Sequence, residues 1–262
     1  MEWTTLADSR GPVLEFVSDT REGLPIADLA RIPDGVTVGP AIAAALAQLP
    51  GWLVATEDAN LAAAALSAGA TRVRHAHLMS APTAPHADAP AIRLVPRADV
   101  PIREYLDGWM AAYPPRHPDH ETGSDEEIIA RCWTWYDEPP WLDREHRSSG
   151  LVVADGAVIG GIIVSLRPQP PPYGGPWVHD VWRVPGPSAP GLGYALIDQA
   201  MRMLAEDGEA QLGLTVSQDN PARGVYERLG FVEVLQSWTV LLPHTPAPGL
   251  GYGLTEFPNS GQ

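Results

Sequence analysis

Short apolar runs separated by turn residues mark the strands in the C-terminal half of the chain. Residues 151–154 and 158–166 are two such runs, and they flank Asp155-Gly156, a dipeptide typical of tight hairpin turns. Residues 177–184 form a third run after a loop rich in proline and glycine. The pattern therefore predicts a hairpin followed by one more strand.

Helical spacing begins after the third strand. The apolar residues from Leu192 to Leu204 recur every three or four positions, which predicts an amphipathic helix that ends near Asp207-Gly208. Residues 212–216 then form an apolar run that predicts another strand.

A second helix and two strands complete the pattern. Asn220 is the expected N-cap of the helix, Pro221 its first residue and Gly230 its stop. Strands are expected over residues 231–235 and 238–242. This order of elements predicts an α/β (α+β) fold, with a mixed central sheet flanked by helices.

Two stretches rich in proline and alanine divide the chain. Residues 80–90 and 244–262 lack apolar periodicity, so we expect a linker and a flexible tail there. The linker separates a smaller N-terminal α/β segment, residues 1–79, from the main domain, residues 91–243.

Composition narrows the function classes. The 262 residues are 45% hydrophobic, which is enough for folded cores, and no apolar run approaches the length of a membrane helix. The N-terminus does not resemble a signal peptide, and Cys132 is a lone cysteine. We expect a cytoplasmic protein without a membrane partner.

The charge balance is strongly acidic, with 32 acidic against 17 basic side chains. Such a surface repels nucleic acid phosphates, so we expect no nucleic acid partner. The acidity serves either solubility alone or the attraction of cationic amines, and the sequence leaves both open.

Two glycines stand between a predicted strand and a predicted helix. With Gly191 and Gly193 at that place, backbone N–H groups can converge on an anion at the positive end of the helix dipole. A pyrophosphate would fit there. Because Gly-x-Gly also occurs in ordinary tight turns, this motif has little specificity alone.

The combination with a later segment is more specific. Three segments occur in the order and spacing of the central strand, coenzyme A loop and following helix of the GNAT acetyltransferases: residues 179–182 (HDVW), residues 191–197 (GLGYALI) and residues 220–231 (NPARGVYERLGF). The chain resembles this family over roughly residues 91–243, most clearly over the last 65 of them. The resemblance implies a GNAT fold, acetyl-CoA as co-substrate and acetyl transfer to a small amine.

The resemblance also implies where coenzyme A is held. The residues that occupy the corresponding strand, loop and helix positions are Trp182, Val184, Gly191, Leu192, Gly193, Tyr194, Ala195 and Asn220.

The same resemblance implies two catalytic residues. Tyr226 corresponds to the residue that protonates the departing thiolate, and His179 stands where relatives often carry a glutamate base. A histidine can accept a proton at neutral pH. Because side chains alternate along a strand, we expect His179 to face the substrate and Asp180 to face away.

One departure from the family pattern weakens the coenzyme loop. Ser188 stands where relatives place arginine or glutamine, and Pro187 and Pro190 cannot donate hydrogen bonds. An alternative is therefore a GNAT-like module that binds acyl-CoA or a protein partner with little or no turnover. A serine hydrolase is excluded because Pro190 breaks the Gly-x-Ser-x-Gly pattern.

The acceptor region is rich in aromatic and acidic residues. These are Trp109, Tyr113, Trp133, Trp135, Tyr136 and Trp141, interleaved with Asp119, Glu121, Asp125, Glu126, Glu127, Asp137 and Glu138. They predict either a pocket for a cationic amine or a helix core with a solvated face. The pairs His117/His120 and His75/His77 lack a third ligand in the sequence, so we expect no metal.

The N-terminal segment repeats part of the catalytic pattern. Aligning Gly69 with Gly230 brings Asp58 onto Asp219, so the segment resembles a degenerate half-GNAT; the alternative is the general similarity that any two strand-helix-strand units share. Ala65 replaces the catalytic tyrosine there, so we expect a role in packing or homodimer formation and one coenzyme per chain.

Overall fold

The structure is a computed structural model. It describes residues 2–21, 23–83, 92–136, 144–169, 172–186 and 190–244, with the backbone alone over 131–136. Most of the predicted linker, the tail beyond residue 244, Pro187 and Ser188 lie outside the described residues. So do Asp137, Glu138 and Trp141, and the side chains of Cys132, Trp133, Trp135 and Tyr136.

The described chain contains ten strands and six α-helices. The strands are β1 (Trp3–Asp8), β2 (Gly11–Arg21), β3 (Leu24–Arg31), β4 (Leu53–Thr56), β5 (Thr71–Pro82), β6 (Gly150–Ala154), β7 (Ala157–Arg167), β8 (Gly175–Arg183), β9 (Gln211–Ser217) and β10 (Val232–Leu241). The helices are α1 (Val38–Gln48), α2 (Ala59–Ser67), α3 (Leu106–Ala112), α4 (Asp125–Tyr136), α5 (Leu192–Glu206) and α6 (Arg223–Arg228). None of these helices is both long and apolar enough to cross a bilayer.

The chain folds into two compact units. The first comprises residues 1–75 together with the C-terminal segment from Gln236, and the second comprises residues 76–235. Two strands cross the boundaries between the units. Strand β5 begins in the first unit and continues into the second, and β10 begins in the second unit and continues into the first.

In the first unit the strands follow the order β1, β2, β3, β4, β10. All neighbours are antiparallel except β3 and β4, which are parallel and share two residue pairs, Ile26↔Leu53 and Ala27↔Val54. Helix α2 begins at the cap Asp58, whose carboxylate accepts the N–H groups of Asn60 and Leu61. The strand and helix order of this unit fits the expected α/β segment, and its interpretation as a half-GNAT stays a prediction.

In the second unit the order is β5, β9, β8, β7, β6. Strands β8 and β9 are parallel and the other pairs are antiparallel, so the sheet is mixed as predicted. One face packs on α5 and α6 through the cluster around Leu196, Ile197 and Leu204. The other face carries a smaller cluster with Leu106, Ile163 and Trp182, against which α3 and α4 pack.

Three predicted boundaries differ from the structure. The predicted linker begins inside β5, since Ser80 and Pro82 pair with Gly213 and Gln211. The last two predicted strands form the single strand β10, because neither glycine nor proline interrupts the chain between them. Helix α6 begins at Arg223 rather than Pro221.

Candidate active site

Two neighbouring parallel strands separate in the middle of the second unit. Strands β8 and β9 are paired only at Trp177↔Gly213 and Val178↔Leu214. Beyond these pairs, β8 continues to Arg183 and β9 to Ser217 without further pairing between them. A wedge therefore opens from Val178 onward, and backbone groups on the facing edge of β8 have no partner on β9.

A β-bulge lies where the wedge opens. On β7, Ile163 pairs with Asp180 and Val164 pairs with Val178, so His179 is an extra residue in β8. The bulge cancels one step of the side-chain alternation. His179 and Asp180 therefore point to the same face, and the expectation that Asp180 faces away from His179 was wrong.

The surroundings of His179 make it a poor proton acceptor. Its Nε2 shares a hydrogen bond of 2.6 Å with Oγ of Ser165, which is completely buried. Burial, and secondly the positive charge of Arg167, lower the pKa of His179 to about 3. An imidazole with this pKa stays neutral at physiological pH and holds a proton weakly, which does not favour its predicted role as base.

Asp180 is held by two aromatic side chains from α3 and the residue that ends it. Nε1 of Trp109 donates to one carboxylate oxygen at 2.8 Å, and the phenol of Tyr113 donates to the other at 2.5 Å. Burial, and then the charge of Asp180, raise the pKa of Tyr113 well above its usual value. The carboxylate is thus fixed in position on the face that α3 covers.

Tyr226 lies in the same charged environment. Its side chain is 7% exposed, and burial, then the charges of Asp180 and Asp119, raise its pKa far above 10. The phenol therefore remains protonated throughout the physiological range. It sits on the fourth residue of α6, about one turn in, because the helix starts later than predicted.

Asp119 connects the segment after α3 to the far side of the wedge. Its carboxylate accepts hydrogen bonds from Oγ of Ser217 at 2.5 Å and from Nδ2 of Asn220 at 2.9 Å. Tyr113, six residues earlier, is bonded to β8. The segment between them therefore spans from β8 to the end of β9.

Asn220 has both side-chain groups engaged. Its amide nitrogen donates to Asp119, and its carbonyl oxygen accepts the N–H of Ala222 at 2.8 Å. This second bond supports the turn that leads into α6, so Asn220 keeps the capping chemistry although the helix starts at Arg223. A contact with coenzyme would need a rearrangement at Asp119.

The start of α5 suits an anion. Gly191 is the N-cap and has a φ of 72°, a conformation that favours glycine. The helix that follows has 15 residues, and its first N–H groups, over residues 192–194, have no partner within the helix. A Cβ added at Gly193 would meet no atom within 4 Å, so the approach to these groups is open.

The rest of the predicted coenzyme residues have structural neighbours. Leu192 packs close to Gly160 of β7, where a Cβ would lie 2.8 Å from its side chain. Trp182 is 4% exposed and stacks on Tyr105, and it is paired with Gly161 of β7. Val184 donates its N–H to Ile159 at 2.9 Å, while Tyr194 and Ala195 lie half-buried in the first turn of α5.

Asp180, the neighbour of His179 in β8, and Asp119 are the acidic groups whose charges reach Tyr226. In the sequence Asp119 is only one of many acids, and the alternation of side chains wrongly predicts that Asp180 faces away from the site. Within the part of the chain that the structure describes, no group of three metal-ligating side chains occurs.

Comparison with known proteins relates this region to a protein family. The sequence profile of the acetyltransferase (GNAT) family matches residues 105–231, which include α3, the wedge and α6. No functionally curated protein matches the sequence.

Solved structures share the fold at low sequence identity. A GCN5-related N-acetyltransferase from Sphaerobacter thermophilus is 14% identical with a TM-score of 0.61, over 94% of this chain and 81% of the other. A GNAT-family acetyltransferase from Colwellia psychrerythraea is 11% identical with a TM-score of 0.56, over 92% and 85%. A tandem GNAT protein from the clavulanic acid biosynthesis pathway is 14% identical with a TM-score of 0.54, over 92% and 82%. Residues 105–231 therefore form a domain of the acetyltransferase (GNAT) family, and the chain shares the fold of these solved structures.

Proposed function

We propose that the protein is an N-acetyltransferase that uses acetyl-CoA and transfers the acetyl group to a small amine. The observation that carries this proposal is the buried phenol of Tyr226, within reach of the charges of Asp180 and Asp119, in the unit where strands β8 and β9 separate. A proton donor for the departing thiolate and carboxylates that can bind an amine suit the aminolysis of a thioester.

The start of α5 would hold the co-substrate. The free N–H groups of residues 192–194 at the positive end of α5 would bind its pyrophosphate, and the edge of β8 that is unpaired with β9 would offer backbone groups to the extended part of the coenzyme. When bound, acetyl-CoA supplies the thioester. The acceptor first releases the extra proton of its ammonium form to water, and the neutral nitrogen then forms the new C–N bond as the C–S bond breaks. Tyr226 donates its proton to the departing sulfur and is reprotonated by the proton that the new amide nitrogen loses.

Asp180 is the residue that we assign to the acceptor amine. Its carboxylate is oriented by Trp109 and Tyr113 and lies on the same face as His179. Each carboxylate oxygen can accept a further hydrogen bond, so an ammonium group can bind there. Its positive charge would offset the effect of the Asp180 charge on Tyr226, which is smaller than the effect of burial, and would lower the pKa of the phenol in the direction that eases proton donation.

The test is an amine panel incubated with acetyl-CoA, with detection of released thiol. Coenzyme binding is measured in parallel by thermal shift. Thiol release that depends on the amine supports the acetyltransferase. Coenzyme binding without thiol release for any amine would instead establish the alternative, a module that binds acyl-CoA without turnover.

A further inference from the structure

Arg167, at the end of β7, is a half-buried cation. Its guanidinium carbon lies 4.1 Å from the ring centroid of Trp177, and burial lowers the pKa of Arg167. Its Nη1 donates to the carbonyl of Tyr173 at 3.3 Å. No carboxylate of the described residues lies within ion-pair distance of it, although the protein has 32 acidic side chains. A partly desolvated charge without a counter-ion is unfavourable until an anion binds.

Arg167 belongs to the same surface as Asp180. Ser165 and Arg167 are two residues apart on β7 and share a face, and Ser165 is bonded to His179. The bulge at His179 places Asp180 on that face as well. The sheet therefore presents an acidic group at the wedge and a basic group farther along β7.

The spacing of these two groups is set by the strand register. Asp180 is opposite Ile163, and Arg167 lies four residues beyond Ile163, about 13 Å along the strand at ~3.3 Å per residue. The arginine side chain turns over Trp177, which is opposite Ser165, so its charge lies nearer to Asp180 than its backbone does. A small molecule with two opposite charges can span the remaining distance.

We propose that the acceptor is an amino carboxylate, whose carboxylate binds Arg167 while its amine lies at Asp180. This proposal rests on the acetyltransferase function and specifies its substrate class. Arg167 supplies the planar N–H donors that suit a carboxylate, and the ring of Trp177 fixes the guanidinium in place. The neutral imidazole of His179 adds no competing charge between the two ends.

The first experiment varies the acceptor. The acceptors are a series of amino carboxylates in which the distance between amine and carboxylate increases, here called the ruler compounds: glycine, β-alanine, 4-aminobutyrate, 5-aminopentanoate and 6-aminohexanoate. Each is compared with the alkylamine of equal length that lacks the carboxylate. L-α-amino acids are compared with their amides. We expect at least one amino carboxylate to exceed its carboxylate-free analogue by more than about tenfold in kcat/KM. Equal turnover of both sets would overturn the carboxylate site and leave the acetyltransferase intact.

The second experiment varies the protein. Arg167→Met keeps an apolar stem over Trp177 but removes the charge, so KM for the best amino carboxylate should rise about tenfold or more relative to any change in KM for the carboxylate-free amine. Arg167→Lys should recover part of the loss. Arg103→Met removes an exposed arginine elsewhere in the unit and is the control. An unchanged KM in Arg167→Met would contradict the proposal.

A binding measurement separates this proposal from the function on which it rests. Calorimetry with the same ruler compounds, in the presence of coenzyme A, reports the carboxylate site without turnover. Binding that Arg167→Met abolishes would support the site even when no thiol is released. If amines release thiol but the ruler compounds bind equally to the wild type and to Arg167→Met, the carboxylate site is rejected and the acetyltransferase function is kept.

Discussion

The side chain of Asn220 donates from Nδ2 to the carboxylate of Asp119 at 2.9 Å, so the turn before α6 is tied to the segment after α3. The same carboxylate binds Ser217 at the end of β9. Asn220, which is predicted to contact coenzyme A, is therefore bound to the carboxylate of Asp119, whose negative charge would repel the phosphates of the coenzyme.

We expect Asp119→Ala to strengthen coenzyme A binding. The substitution releases the Asn220 amide and removes one negative charge, and a partly exposed charge is worth ~0.5–1 kcal/mol, or about two- to fivefold in Kd. Calorimetry measures the change, with Asp125→Ala in the exposed first turn of α4 as a charge-matched control. Weaker binding in Asp119→Ala would show that the carboxylate organises the site instead.

Removing the hydroxyl of Tyr226 should affect rate rather than stability. None of the hydrogen bonds found among the described residues involves this phenol, so Tyr226→Phe leaves no partner unsatisfied. Positioned acid catalysis contributes ~10²–10⁴-fold, and we expect kcat to fall by that factor. Coenzyme affinity is the control. A variant with more than about a third of the wild-type turnover would mean that water returns the proton.

His179 should make folding stability sensitive to acid. The folded pKa of about 3 lies below the usual 6.5, so between these values the unfolded chain binds a proton that the native protein does not. Stability is therefore lost as pH falls below about 6.5, by up to ~1.4 kcal/mol per pH unit. Urea unfolding of His179→Gln should show a shallower loss between pH 7 and pH 5.

The same variant tests the predicted base. If His179 accepts the proton of the amine, His179→Gln should lose most of its kcat at pH 7.5. If Asp180 binds the amine, as we propose, Asp180→Asn should lose far more activity than His179→Gln. The ratio of the two kcat/KM values decides between these roles.

The coenzyme loop can be tested without unfolding the protein. Gly193 has open space at its Cβ position and no positive φ, so Gly193→Val should leave the melting temperature nearly unchanged. Its branched side chain would cover the N–H groups of the first turn, and we expect coenzyme A affinity to drop at least about tenfold. Gly193→Ala is a smaller control. Wild-type affinity in Gly193→Val would show that this loop does not bind the pyrophosphate of coenzyme A.

The sequence was sufficient for the regular part of the second unit. Turn dipeptides and apolar periodicity located β6 to β9 and α5 to within a few residues, because local pattern and tertiary packing agree there. The bulge at His179 escaped prediction because no glycine or proline marks it. A single extra residue then reversed the expected direction of Asp180.

Long-range pairing explains the other misses. Asp119 meets Ser217 and Asn220 across about a hundred residues, and no local pattern identifies such a partner. Arg167 had a weak signal, as the charged residue that ends an apolar strand, but only the pairing of β7 with β8 brings it near His179.

The assignment of β10 to the first unit has a consequence for synthesis. Strand β4 pairs with β10 at Val54↔Val240 and its neighbours, so the β4 edge of the first unit stays open until residues 232–241 have been translated. Domains usually fold in the order of their synthesis, whereas the first unit is completed only after residues 76–235 have been made. Expression of residues 1–79 alone would leave that edge uncovered, and a fragment that begins at residue 91 would lack β5. Coexpression of complementary fragments is therefore the suitable way to divide this protein.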